Sequence, residues 1–129
     1  MADTHASIVE VMRSHPEIEK VVTLSAFGVA DSAANAGWLL NALFHHTNMA
    51  EGYDDHDAVD EEVKASGVNF VFVRPMRLTE GVRAPIKEYG DQGKGVGTFS
   101  SITRTSVAGF LVDAAVEGTW DRRTPVISN

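Results

Sequence analysis

Two short apolar runs with a long helical stretch between them constrain the fold of this chain most strongly. They read KVVTLSA at residues 20–26 and NFVFV at residues 69–73. Both are rich in β-branched or aromatic residues, which is typical of strands that are buried on both faces of a sheet. Strands joined by long helical connections pair in parallel through right-handed crossovers. The sequence therefore predicts an α/β fold with a mostly parallel sheet.

Helical patterns flank both runs. The spacing of apolar residues predicts helices over residues 6–14, 35–44, 54–66 and 101–117. A last short strand is expected over 124–127, whereas 28–35 is expected to be a loop. The polar, glycine-rich segment 84–98 is expected to be a loop or one or two short strands. The expected architecture has about three core strands with helices on both faces, in a single domain spanning residues 1–129.

Charge and composition exclude several classes of partner. The 129 residues carry a formal net charge of −7 with scattered basic residues, which argues against a nucleic-acid partner. There is no cysteine, so disulfides, thiolate metal sites and a cysteine nucleophile are excluded. No apolar run approaches the ~20 residues of a membrane span, and we see no signal-peptide pattern at the N-terminus. We therefore expect a cytoplasmic protein without a membrane partner.

No metal site is expected. His45 and His46 are adjacent, so they would point to different faces of a helix and could not easily share one ion. The acidic stretch 54–62 lacks the glycine and glutamate pattern of an EF-hand loop. Both features are better interpreted as solvated surface.

Five segments, read in order, resemble one protein family. They are VVTLSAFGVADS (21–32), the YDDH stretch with the helix after it (53–66), SGVNFVFVRPMRLTEG (66–81), GKGVGTFSSITRTSVAGFLVDAAVEG (93–118) and TPVISN (124–129). Together they resemble the NmrA-like, biliverdin-reductase-B-like branch of the atypical short-chain dehydrogenases/reductases, and in particular its fungal NAD(P)-binding proteins. The resemblance covers nearly the whole chain and implies a Rossmann-type fold with NADP or NAD as cofactor.

The resemblance aligns the chain with the C-terminal half of that family's fold. The family's first four strands and its glycine-rich turn have no counterpart, although that turn usually holds the cofactor pyrophosphate through backbone N–H groups. The local glycines do not follow a strand and open a helix, so they are not expected to replace the turn. They are Gly90, Gly93, Gly95 and Gly97. We therefore expect a partial Rossmann-type three-layer fold that lacks the N-terminal glycine-rich half and binds the cofactor weakly.

Candidate site residues lie where the first two strands end, which is where doubly wound sheets place ligands. The resemblance matches Ser25 to the serine that donates a hydrogen bond to the reacting carbonyl, beside the cofactor. The alternative is a small residue that caps a loop. The resemblance also places the backbone of Arg74 and Pro75 against the ribose and nicotinamide, with residues 76–79 as a flap. The alternative for this pair is a plain strand terminator.

Tyr53 and His56 are the candidates for catalytic proton transfer. The resemblance compares Tyr53 with the family's Tyr-x-x-x-Lys pair, but Asp57 stands where the lysine is expected. A carboxylate raises the pKa of a nearby phenol, so a surface or packing role is favoured for the tyrosine. His56 lies in an Asp-Asp-His run that also occurs in the resembled branch, and imidazole can exchange protons without a lysine. We expect the nearby carboxylates to keep it cationic to higher pH; the alternative is a solvated residue in an acidic turn.

Three functions remain open. The first is an NAD(P)-linked oxidoreductase acting on a small organic substrate, aromatic or quinone-like, with secondary metabolism suggested by the fungal relatives. The second is a cofactor-independent isomerase, dehydratase or cyclase that uses His56 or Tyr53. The third is a non-catalytic binding module or a gene fragment. The open edge of strand 20–26 and the apolar helix 35–44 also predict a homodimer or a partner chain.

Overall fold

A computed structural model describes residues 2–35 and 50–129. Its helices are α1 (Ala2–Ser14), a 3₁₀ helix (Ala30–Asn35), α2 (Ala50–Ser66) and α3 (Arg104–Val116). Its strands are β1 (Val21–Leu24), β2 (Phe70–Pro75), β3 (Arg77–Thr79), β4 (Lys87–Glu88), β5 (Ser101–Thr103) and β6 (Val126–Ser128). All but the first residue of the helix expected over 35–44 lies outside the described residues.

Three parallel strands form the centre of the main sheet. β1 pairs with β2 in parallel, from Val21 opposite Phe70 to Leu24 opposite Val73. β2 also pairs in parallel with β6, and β4 adds an antiparallel edge beyond β6, which gives the order β1-β2-β6-β4. β3 and β5 form a separate parallel pair. The structure confirms an α/β fold with a mostly parallel sheet, whose three parallel strands correspond to the expected ones.

Side-chain alternation along β2 separates two apolar cores. Phe70 and Phe72 pack against residues of α1 and α2, whereas Val71 and Val73 pack against α3. The helical residues involved are Val9, Val59 and Val63 on the first face and Val107, Phe110 and Ala114 on the second. Every residue of β2 is buried, which explains why its sequence shows no polar alternation until Arg74. Helices therefore cover both faces of the sheet, as expected.

The second strand includes Arg74 and ends at Pro75, two residues later than the apolar pattern indicates. The backbone N–H of Arg74 donates to the carbonyl of Pro125 at 2.9 Å. The backbone N–H of Met76 donates to Ile127 at 3.0 Å, so the pairing with the last strand continues past the proline. These two bonds hold the arginine and the proline inside the sheet.

Helix α3 begins at Arg104, not at residue 101. Ser101–Thr103 form β5 and pair with β3 instead. Thr103 then caps the helix, because its Oγ1 accepts a hydrogen bond from the backbone N–H of Ser106 at 3.2 Å. Another difference is the segment 28–35, which was expected to be a loop and contains the 3₁₀ helix.

Candidate functional site

Ser25 lies at the C-terminal end of β1, where pairing continues beyond the last residue of the strand. Its backbone N–H donates to the carbonyl of Val73 at 2.8 Å, and that of Phe27 donates to Pro75 at 3.3 Å. Strand alternation therefore places Ser25 on the same face of the sheet as Thr23. That face is covered by α1 and α2.

Pro75 removes the expected strand partner of the Ser25 carbonyl. In a parallel pair of strands, the N–H of one residue donates to a carbonyl on the neighbouring strand. The carbonyl of the same residue accepts from the N–H two positions further along that neighbouring strand. Ser25 donates to Val73, so position 75 would be the donor, and proline has no N–H. The Ser25 hydroxyl makes no hydrogen bond to any residue that the structure describes. Both oxygen atoms of this half-buried serine are thus available to a ligand.

His56 lies on the sheet-facing side of α2, one turn before Asp60. Residues three or four positions apart lie on the same side of a helix, so His56 shares its side with Val59 and Val63. These two valines are 2% and 0% exposed. A helix that connects two parallel strands runs opposite to them, so its first turns lie near the strands' C-terminal ends. Asp60 fixes this placement, because its carboxylate contacts Arg74 near the end of β2 at 2.8 Å. His56 is therefore at the same edge of the sheet as Ser25.

A second histidine, His5 in α1, lies near the same end of β1. It was not identified as a candidate from the sequence. It is 7% exposed, and its Nε2 lies 3.1 Å from Oγ1 of Thr23. The first turn of α1 thus lies near the C-terminal end of β1. The sequence signal for this residue is its spacing alone: His5 precedes the apolar Val9 and Met12 by four and seven positions, so it lies on the same side of α1.

The pKa of His56 is lowered, chiefly because burial disfavours its charged form. The carboxylates of Asp55 and Asp57 oppose this effect, whereas the charge of His5 adds to it. The expectation that the acidic turn keeps this imidazole cationic to higher pH is therefore wrong. The sequence shows the neighbouring carboxylates but not the burial that outweighs them. At neutral pH the uncharged imidazole predominates and can accept a proton.

Asp57, which stands where the resemblance expects a lysine, has a structural partner. Its Oδ1 accepts a hydrogen bond from the backbone N–H of Ala30 at 2.6 Å, which ties the loop after β1 to α2. Ala30 has a φ of 47°, in the left-handed region that residues other than glycine rarely adopt. The Asp57 carboxylate therefore stabilises a backbone conformation of Ala30 that is sterically unfavourable. Tyr53 lies one turn earlier in α2, and its side chain is outside the described part of the chain.

Arg74 is fully buried and its guanidinium joins three elements. Its Nη2 donates to Asp60 at 2.8 Å, and its Nη1 donates to the carbonyl of Asp91 at 3.0 Å. Lys64 contacts the second carboxylate oxygen of Asp60 at 2.6 Å. The side chain of Arg74 thus fastens β2 to α2 and to the loop after β4. A contact of the Arg74 and Pro75 backbone with a cofactor stays a prediction.

An apolar cluster lies at the ends of the strands, and its member Phe27 follows Ser25 by two residues. Its members are Phe27, Met76 and Val126, with Tyr89 and Val96 packed against them. Gly93 approaches this cluster so closely that a Cβ atom there would lie 2.6 Å from Cε2 of Phe27. An apolar cluster of this kind at the ends of the strands suits the packing of a flat ring such as nicotinamide. No strand, glycine-rich turn and helix that would bind a pyrophosphate occur in succession among the described residues.

Two negative findings apply to residues 2–35 and 50–129. No group of three or more His, Cys, Asp or Glu side chains in these ranges is placed to hold a metal ion. None of the helices there combines the length and the apolar character that crossing a bilayer requires. His45 and His46 lie outside both ranges.

Several solved structures share this fold. ChuY from Escherichia coli CFT073 has a TM-score of 0.75 at 13% identity, over 97% of this chain and 63% of that one. ChuY from E. coli O157:H7, described as an anaerobilin reductase, has a TM-score of 0.75 at 13% identity, over 96% and 56%. A wide-type short-chain dehydrogenase/reductase from Veillonella parvula DSM 2008, in complex with NADP, has a TM-score of 0.70 at 19% identity, over 99% and 58%. The chain thus spans less than two thirds of each.

The sequence itself shows a family relationship. No curated protein matches the chain. The profile of the NAD(P)H-binding family matches residues 1–117, a range that includes Ser25, His56 and the whole of α3. Since this match covers most of the chain and agrees with the fold of the solved structures, the chain belongs to the NAD(P)H-binding family.

Proposed function

We propose that this chain forms the nicotinamide side of an NAD(P)-linked oxidoreductase site for a small organic substrate. The observation that carries the proposal is the placement of Ser25 and His56 at the same edge of the sheet. One offers a hydroxyl with no hydrogen bond to the described residues, and the other an imidazole that is uncharged at neutral pH. The family match supports the choice of cofactor.

Ser25 and His56 have different roles in the proposed reaction of a carbonyl group. Nicotinamide, when bound, supplies or takes up the hydride. The Ser25 hydroxyl donates a hydrogen bond to the substrate oxygen, where negative charge develops during reduction. The imidazolium of His56 donates a proton to that oxygen in reduction, and its neutral form takes the alcohol proton in oxidation. The lowered pKa favours the accepting role at neutral pH.

The substrate class that we propose is an aromatic carbonyl or a quinone-like compound. The sequence resemblance to the NmrA-like, biliverdin-reductase-B-like branch supports this choice, and with it a role in secondary metabolism. The Asp-Asp-His run that ends at His56 is part of that resemblance. Because ChuY from E. coli O157:H7 is described as an anaerobilin reductase, anaerobilin belongs among the compounds to be tested.

A cofactor-independent isomerase or dehydratase is the second candidate. The neutral imidazole of His56 favours it, because such a group can move a proton within a substrate without any hydride transfer. Turnover of a candidate substrate that is unchanged when NAD(P)H is omitted would distinguish this function from the first.

Rates of NADPH oxidation with a panel of quinones and aromatic aldehydes test the oxidoreductase proposal. Ser25→Ala and His56→Gln should each lower kcat by about 10²-fold or more, because each removes a group that acts on the substrate oxygen. His15→Gln is the matched control, since His15 is exposed and pairs with Glu17 on the surface at 2.9 Å. Turnover that both site variants preserve would overturn the proposal.

A further inference from the structure

A groove of about 450 Å³ lies between α3 and the segment 83–88. Its apolar lining includes Ile86, Phe110 and Trp120, which belong to the core between α3 and the sheet or pack against it. Ser25 and His56 lie on the other face of the sheet, so the groove shares no residue with the site proposed above. Its volume is in the range of small-molecule binding sites.

Trp120 connects the apolar base of the groove to a carboxylate at its border. The indole ring packs against Phe110 with ring centroids 4.6 Å apart. Its N–H donates to Oε2 of Glu88 at 2.9 Å. Trp120 is buried, whereas Glu88 is exposed. The carboxylate is therefore held where the apolar lining meets the solvent.

Arg83 and Asp113 line the groove as an ion pair. Nη2 of Arg83 donates to Oδ2 of Asp113 at 2.8 Å. Gly109 lets the guanidinium lie directly on α3, because a Cβ atom at this position would be 2.6 Å from Cζ of Arg83. The opposite charges of the pair cancel within the groove.

Glu88 therefore carries the net charge of the groove. Among the described residues it has no ion-pair partner, and strand alternation directs the neighbouring Lys87 to the other face of the sheet. Its Oε1 accepts no hydrogen bond from a described residue, although a carboxylate can accept several. An apolar lining beside one uncompensated negative charge is complementary to a ligand with an apolar body and a positively charged group.

We propose that this groove binds small organic amines in their protonated form. The apolar part of the ligand packs on Ile86, Phe110 and Trp120, and its ammonium group donates to Oε1 of Glu88. Burial of the apolar part contributes affinity in proportion to the area that it removes from water. The ammonium–carboxylate hydrogen bond contributes the preference for a positive charge.

Three probes that share a phenyl ring and differ in charge test the groove on the unmodified chain. They are phenethylammonium, phenethyl alcohol and phenylacetate. The indole N–H resonance of Trp120 in proton–nitrogen NMR spectra, assigned with Trp120→Phe, follows each titration. We expect phenethylammonium to bind most tightly and phenylacetate most weakly. Equal dissociation constants for the three probes, or no saturable shift with phenethylammonium, would overturn the proposal.

Glu88→Gln locates the preference for positive charge. Glutamine keeps an oxygen that can accept from Trp120 but carries no charge, so the dissociation constant of phenethylammonium should rise about fivefold. Glu10→Gln is the matched control, since it makes the same change in net charge at an exposed position of α1, on the other face of the sheet. This control should bind like the wild type. An unchanged constant in Glu88→Gln, or an equal rise in both variants, would refute a site at Glu88.

Discussion

The guanidinium of Arg74 lies 2.8 Å from the carboxylate of Asp60, and the two side chains are 0% and 4% exposed. Asp60→Ala removes the carboxylate that pairs with the buried guanidinium of Arg74. We therefore expect it to lower the free energy of unfolding by about 3–5 kcal/mol. Lys64, which also contacts Asp60, is 37% exposed, so Lys64→Gln should cost less than about 1 kcal/mol. Urea unfolding followed by circular dichroism measures both. Equal costs would contradict the importance of the buried pair.

His56 should make the stability of the protein depend on pH in a defined direction. Its pKa is lowered in the folded chain and lies near 6.5 in the unfolded chain, so the unfolded state takes up the proton first as the pH falls. The contribution to the free energy of unfolding is complete above pH 6.5 and is lost as the pH falls towards the folded pKa. The difference in free energy of unfolding between wild type and His56→Gln should therefore decrease across this window. A constant difference would contradict the lowered pKa.

Gly93 and Gly90 form a matched pair for testing close packing. Their φ angles are 67° and 66°, so alanine at either position costs about 1–2 kcal/mol of backbone strain. A Cβ at position 93 would also lie 2.6 Å from the ring of Phe27, whereas a Cβ at position 90 meets nothing within 4 Å. Gly93→Ala should therefore be less stable than Gly90→Ala by a further ~1–3 kcal/mol. Thermal unfolding of the two variants decides the matter, and equal stabilities would refute the steric argument.

The open side of β1 should make the chain self-associate. Among the described residues β1 has one strand neighbour, and an apolar groove of about 520 Å³ lies between it and α1. Val11 borders this groove and is 49% exposed. Val11→Glu should weaken the dimer, whereas Val116→Glu, at a 77% exposed position on the other face of the sheet, should not. Light scattering at micromolar concentration measures this; a wild-type chain that stays monomeric would disprove it.

Cofactor binding by the isolated chain should be weak. The site that we propose takes the nicotinamide end of the dinucleotide. The described residues include no glycine-rich turn, preceded by a strand and followed by a helix, for the pyrophosphate. Calorimetric titration with NADPH and with NADH should give a dissociation constant above about 10 μM, which is a binding free energy weaker than about −7 kcal/mol. Tighter binding would show that other residues hold the phosphates.

Strand pairing was predictable where the sequence carries an unbroken apolar signal. Residues 20–26 and 69–73 have that signal, and β1 and β2 pair in parallel as expected. Ser101–Thr103 lacks it, because Ile102 also fits the apolar spacing of the following helix. Its assignment to a strand depends on pairing with Arg77–Thr79, which no local pattern contains.

The candidate site was predictable only in part for a similar reason. Ser25 is marked by its position at the end of an apolar run. His5 is marked by nothing comparable, since its partner Thr23 is eighteen residues away. The pKa of His56 depends on burial, and the sequence around it shows only the charges of Asp55 and Asp57, which act in the opposite direction.

The bond between Ala30 and Asp57 restricts how position 57 can evolve. In the family that this chain resembles, a lysine at the matching position serves the tyrosine, whereas here a carboxylate secures a left-handed residue. A direct exchange of Asp57 for lysine would release the loop after β1 at once. Replacing Ala30 with glycine first would relax the backbone, because glycine adopts positive φ without steric cost. An exchange between aspartate and lysine at position 57 therefore has a preferred order, in which Ala30→Gly comes first. As long as alanine stays at position 30, we expect the carboxylate at position 57 to be retained.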